Sequence, residues 1–128
     1  FTVGANSEVN YPSGRTYIAY LFASAPGVSK VGSYIGTGND INIDCGFTSG
    51  ARFVLIKNVN ETEHWILFDS VRGVTSSTSD PYLLPSRDYS ERTSTAVDID
   101  PLSSGFKVAG NGTHINGVGD THIFYAIA

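Results

Sequence analysis

No apolar run in this chain exceeds seven residues before a turn-former interrupts it. The runs are Tyr17 to Ala23, Lys30 to Ile35, Ile41 to Cys45, Arg52 to Lys57, His64 to Phe68, Val97 to Ile99, Phe106 to Val108 and His122 to Ala128. Each is rich in β-branched or aromatic residues and too short for a stable helix. Between them lie Ala25-Pro26-Gly27, Gly36-Thr37-Gly38-Asn39-Asp40, Thr48-Ser49-Gly50 and Ser103-Ser104-Gly105, which preset turns at the spacing of a sandwich. The pattern predicts an all-β protein, an antiparallel β-sandwich of jelly-roll-like type. FVLIK and HWILF are apolar at consecutive positions, as central strands covered on both faces are, and the KNVNETEH stretch joining them predicts an antiparallel pair. Ser70 to Ala96 has no clear period, and a loop that long inside a compact domain marks function or unread structure.

At 128 residues and 41% hydrophobic, the chain has enough apolar surface for one domain with its own core. The net charge of −4 comes with only eight Lys and Arg and no basic cluster, which excludes nucleic acid as an expected partner. No run approaches the ~20 residues that span a bilayer, so membrane insertion is not expected. Cys45 is alone, so no internal disulfide forms, and with no nearby His or second thiol it makes no metal site; the expected role is a small buried side chain.

The two ends of the chain repeat one another. An offset of 105 residues places Phe1 on Phe106, Val3 on Val108, Asn6 on Asn111, Gly14 on Gly119, Thr16 on Thr121, Ile18 on Ile123, Tyr20 on Tyr125 and Ala23 on Ala128, without a gap. Both copies read as strand, Gly/Asn-rich loop, strand, which predicts a related hairpin at each end of a single unit spanning 1–128. Either a pseudo-symmetric domain has two similar edge hairpins, or 1–23 is the tail of a preceding tandem repeat. The second expectation also accommodates the absence of Met and an opening in mid-strand.

YIAYLFA, PGVSKVGSYIGTG, IDCGF, GARFVLIK, the W-x-x-F-D-S-x-R-G spacing, DPYLL, SGFKV and the closing HIFYAIA together resemble a module repeated in tail-fibre and other virion-surface proteins of marine bacteriophages. The resemblance covers essentially the whole chain, and its motifs are framework motifs. It implies a virion-surface, extracellular location and neighbouring modules of the same fibre, with homo-oligomers as a further expectation. It implies no catalytic residue and no cofactor.

The candidate chemistry is sparse. His64, His114 and His122 have no ligand spacing and are paired with no Cys or carboxylate in a recognised motif, so no catalytic or metal role is expected of them. Asp98 and Asp100 alternate across Ile99, and Asp40 and Asp44 flank Ile41 to Ile43; calcium is one reading, solvated carboxylates the preferred one. Asp69 and Arg72 follow the Trp65 strand and are expected to form a structural turn pair. Tyr82, Arg87 and Tyr89, in the long irregular region, are the candidate ligand-binding residues, because rings that stack on sugars beside planar polar groups suit a weak glycan site. Tyr82 and Leu83 are also expected to plug the end of the sandwich. The functional expectation is a non-enzymatic fibre spacer and adhesin that contacts a host cell-surface glycan. The alternatives are a glycan-degrading tailspike domain and a structural or decorating module without a ligand.

Overall fold

The fold was described from a computed structural model covering residues 1–128. Seven strands form: β1 (Ser29–Ile35), β2 (Ile41–Asp44), β3 (Phe53–Asn58), β4 (Ile66–Asp69), β5 (Ile99–Leu102), β6 (Gly105–Val108) and β7 (Thr121–Ile127). One short helix, α1 (Thr113–Asn116), separates the last two. The strands make two antiparallel sheets, a large one in the order β1-β7-β3-β4 and a small one in the order β2-β6-β5, and the chain is an all-β, sandwich-like protein.

The period-2 alternation decides which face each strand buries. In β3, Val54, Ile56 and Asn58 are buried while Phe53, Leu55 and Lys57 are half-covered. Phe68 lies opposite Val54 and Ile66 opposite Ile56, so the FVLIK and HWILF pairing is antiparallel as expected. β4, however, ends the large sheet instead of lying inside it, and the outer residues of β3 are only partly covered. The small sheet contributes Ile43, Ile99, Phe106 and Val108, and the Phe106 ring meets Phe124 of β7 edge-on at 5.4 Å between centroids. Full burial of side chains such as Ile99, Phe106 and Val108 stabilises the fold by about 1.5–3 kcal/mol each relative to exposure. Gly32 of β1 sits opposite Phe124, and a Cβ there would fall 2.6 Å from the ring, so the apolar alternation of β1 breaks at this residue to admit the aromatic. Pro101 interrupts β5 without harm because β5 is an edge strand, where a missing N–H breaks no interior ladder.

The repeated ends do not form two hairpins. Residues 1–24 contain turns but no strand, and Ile18, Tyr20 and Leu21 are exposed, so the strand expected over Tyr17 to Ala23 is absent. At the other end, β6 belongs to the small sheet and β7 to the large one, with α1 crossing between them. One local trait is common to both copies: Gly14 and Gly119 have left-handed backbones, with φ of 67° and 83°.

One end of the sandwich is tied by buried polar side chains. Asn116 of α1 uses its full hydrogen-bonding capacity, accepting from Thr37 and Gly38 N–H and donating to the Asn39 and Gly110 carbonyls at 2.8–3.2 Å. Asn58 donates to the Thr113 carbonyl and to Asp120, each at 2.8 Å. His122, fully buried, stacks on Tyr34 and places a backbone carbonyl near each ring nitrogen. Tyr34 donates its hydroxyl to the Ile115 carbonyl at 2.6 Å, and burial pushes that phenol far above its ordinary pKa.

Candidate functional site

The irregular region after β4 is held by short, specific contacts. Asp69 ends the strand and accepts the N–H groups of Val71 and Arg72 at 3.0 and 2.9 Å, while its second oxygen pairs with the Arg72 side chain at 3.0 Å. Arg72 also reaches Glu91 at 3.5 Å, joining the start of the region to its far side. Asp80, almost fully buried, gathers the Thr75 N–H, the Thr75 hydroxyl and the Ser77 hydroxyl into a compact turn.

Two isolated bridges then set the frame. Leu83 exchanges both backbone hydrogen bonds with Leu67 of β4, each at 3.0 Å, and Tyr82 exchanges both with Arg92, at 2.8 and 3.0 Å. Residues 82 and 83 thus extend the large sheet past its β4 edge, and Tyr82 and Leu84 turn inward, Tyr82 against Phe68. Residues 85–93 remain as an arc of nine exposed residues clamped at both ends. Arc geometry of this kind puts side chains in solvent while the frame stays ordered.

A groove of about 360 Å³ runs under the arc, with Tyr89 and Arg92 on one side and His64, His114 and Gly112-Thr113 on the other. Tyr89 is half exposed, and the Arg87 and Arg92 guanidinium carbons lie 5.9 and 5.5 Å from its ring centroid. Arg87 donates from Nε to His64 Nε2 at 3.2 Å, and Ser86 Oγ lies 3.3 Å from His64 Nδ1. His64 Nε2 accepts in that pair, so Nδ1 carries the proton and donates to Ser86. On the opposite wall Glu63 pairs with His114 at 3.0 Å and accepts the Thr113 hydroxyl at 3.0 Å. The groove is lined by the Tyr82 and Tyr89 rings, the Arg92 guanidinium and the two imidazoles, with Arg87 beside it against Tyr89 and His64, a set suited to hydroxyl and carboxylate recognition.

Of the three residues singled out in the sequence, Arg87 and Tyr89 are brought together on the arc, whereas Tyr82 is a core side chain whose edge forms the groove floor. His64, His114, Glu63 and Arg92 were not legible as site residues. The partners of Glu63, His64 and His114 lie 22 to 51 residues away in sequence, so no spacing signals them, and Arg92 stands three residues from Tyr89 in a stretch without a period.

The carboxylates differ from the solvated reading in one case. Asp98 is buried, accepts the Asp80 N–H at 2.7 Å, and is pushed above its ordinary pKa first by burial and then by the neighbouring Asp80 and Asp100 charges. It was misread because an Asp next to a strand ordinarily faces water, and only the Asp80 turn folding over it removes that water. Asp40 and Asp100 both pair with Lys107, whose pKa rises through the hydrogen bonds to these two carboxylates. Asp44 caps the Gly46 N–H at 2.8 Å. Cys45 is buried, and burial pushes its thiol up to about 11, with Asp44 adding to the shift and Lys30 opposing it. At neutral pH it is an unreactive thiol. No helix is long and apolar enough to cross a membrane.

The whole chain, residues 1–128, matches the family described as a domain of unknown function, DUF7483, and the protein belongs to that family. No curated protein and no solved structure matches it.

Proposed function

We propose that this DUF7483 domain is a non-catalytic binding and spacing unit of a bacteriophage virion-surface fibre, and that the groove under residues 85–93 takes a host cell-surface glycan. The observation that carries the binding reading is Tyr89, half exposed on a clamped arc, with Arg87 and Arg92 beside it above a groove walled by His64 and His114. An exposed ring gives a sugar an apolar face, and the guanidinium groups donate to hydroxyl and carboxylate oxygens, so acidic sugars are the favoured class. The virion-surface setting rests on the motif set from YIAYLFA to HIFYAIA and its resemblance to fibre modules.

Glycan cleavage would call for two carboxylates facing one another across a cleft. Here Asp40 and Asp100 converge on Lys107, and Glu63 is engaged by His114 and Thr113. Binding without cleavage is accordingly the favoured reading.

A single groove of this depth binds near millimolar, and attachment to a cell comes from many copies acting at high effective concentration. Multivalent display of the domain should attach to host cells, and Arg87→Ala with Tyr89→Ala should abolish attachment while leaving the melting temperature within a few degrees. Equal attachment by the double variant removes the groove as the site. Release of reducing sugar from host polysaccharide would replace binding by cleavage.

A further inference from the structure

The large sheet has an outer face that the core does not use. On it Val31, Leu55, Trp65, Ile123 and Tyr125 line an apolar hollow of about 370 Å³. Phe22 borders the same hollow, its ring stacked on Tyr125 at 4.4 Å between centroids and 29° between planes.

The internal repeat says what Phe22 is. Residues 16–22 align with β7 at the 105-residue offset, and the burial of β7 alternates, with His122, Phe124 and Ala126 inward and Thr121, Ile123, Tyr125 and Ile127 outward. Comparison of the copies divides along that line. Three of the four outward positions are identical, as Thr16 and Thr121, Ile18 and Ile123, Tyr20 and Tyr125, and the fourth sets Phe22 against Ile127, both large and apolar. The inward positions all differ, as Tyr17 and His122, Ala19 and Phe124, Leu21 and Ala126. A core tolerates changes of shape that keep its volume. Identity confined to the side away from the core points to a second surface that both copies must fit.

The connection between the copies is short and tied. Ala25 and Ser29 exchange backbone hydrogen bonds at 2.9 Å each, Ser29 donates its hydroxyl to the Ala23 carbonyl at 2.9 Å, and Ser24 Oγ accepts the Val31 N–H at 3.0 Å. The chain reverses at this turn, which would lead residues 16–22 back along the open edge of β1. β7 has both of its edges filled, by β1 and β3. A segment that is the β7 of its own domain has no edge left to pair with the next one, so it must rise off the β1 edge, and Phe22 comes down on the outer face.

We propose that the outer face of the large sheet is the seat of the preceding copy of this domain in a tandem chain, with Phe22 as the plug that fixes the angle between copies. The proposal rests on the tandem reading of the 105-residue offset and is independent of the glycan groove.

Trp65 is the chain's single tryptophan and lines the hollow, so its emission reports the seat directly. Phe22→Ser should raise acrylamide quenching of Trp65 about twofold, because the ring that partly covers the hollow lined by Trp65 is removed, while the far-ultraviolet circular dichroism is unchanged. Unaltered quenching would overturn the seat. In a two-domain chain, with residues 24–128 repeated after Ala128, Ile127 takes the place of Phe22 for the second domain. Its rotational diffusion should be that of one rigid body, and Tyr125→Ser with Ile123→Ser in the second domain should release the two to tumble separately. Independent tumbling of the unaltered two-domain chain would overturn the fixed joint. Concentration-dependent dimerisation of the 128-residue chain, abolished by Tyr125→Ser, would assign the face to a second chain and overturn the tandem occupant.

Discussion

Residues 14–23 and residues 119–128 say nearly the same thing and do different things. The later copy is an interior strand of the large sheet, hydrogen-bonded on one side to β1 and on the other to β3. The earlier copy has the same glycine, threonine, isoleucine and tyrosine and forms no strand. The difference lies in the neighbours. β-propensity describes fitness for a pleated, half-buried surface, and a segment without flanking strands has no such surface to fit. Gly14 and Gly119 show what sequence achieves unaided, since both adopt the left-handed turn that precedes the strand position.

The sharpest way to break this comparison is to empty an inward position in each copy. Phe124→Ala should cost about 3–5 kcal/mol, because the ring fills the space between the sheets against Phe106 and over Gly32. Leu21→Ala, at an inward position of the earlier copy, should change stability by no more than about 0.5 kcal/mol. Chemical denaturation of the two variants decides it, and a large loss for Leu21→Ala would mean that the earlier copy has found a sheet.

A smaller effect separates the two glycines. Gly119→Ala forces a Cβ into left-handed backbone and should cost about 1–2 kcal/mol, whereas Gly14→Ala should cost almost nothing, since its turn supports no packed strand. Equal thermal shifts would show that the earlier turn is as constrained as the later one.

The smallest effect depends on pH. Burial raises the Asp98 pKa above its ordinary 3.8, so the contribution of this group to stability is fully present below that value and is lost as pH rises through the folded pKa. Asp98→Asn keeps an oxygen to accept the Asp80 N–H and removes the charge. The melting temperature of the variant relative to the parent should therefore rise between pH 3 and neutrality. An unchanging difference over that range would show that Asp98 is solvated in the folded state. Combined with deletion of residues 1–23, the same profile should persist, since every group around Asp98 belongs to the later part of the chain.

The fold class was readable because its signal is local. Runs of about five β-branched and aromatic residues, cut by Gly and Pro, mark strands wherever they pair, and KNVNETEH is short enough to force the β3-β4 hairpin. Pairing across sheets was not readable. Phe106 to Ala128 looks like a hairpin, yet its strands serve different sheets because α1, pinned by Asn116, carries the chain across. The apolar run Val97 to Ile99 overlaps β5 (Ile99–Leu102) at one residue, because the strand continues through Asp100 and Pro101, which an edge position accommodates. In the groove, Tyr89 and Arg87 were visible as chemistry in an unpatterned stretch. Glu63, His64 and His114 become a site only when the connection between β3 and β4 meets α1, which no local pattern records.

The bridge between Leu67 and Leu83 has a consequence for how many such domains behave when crowded together. Open β-edges act as templates for neighbouring chains, and dense arrays make those encounters frequent. The Leu83 segment occupies the β4 edge of the large sheet, and Pro101 leaves a gap in the amide row along the β5 edge of the small one. Copies held side by side at high local concentration thus meet blunted borders there, and their assembly is protected at those borders from drifting into strand-by-strand fibrils.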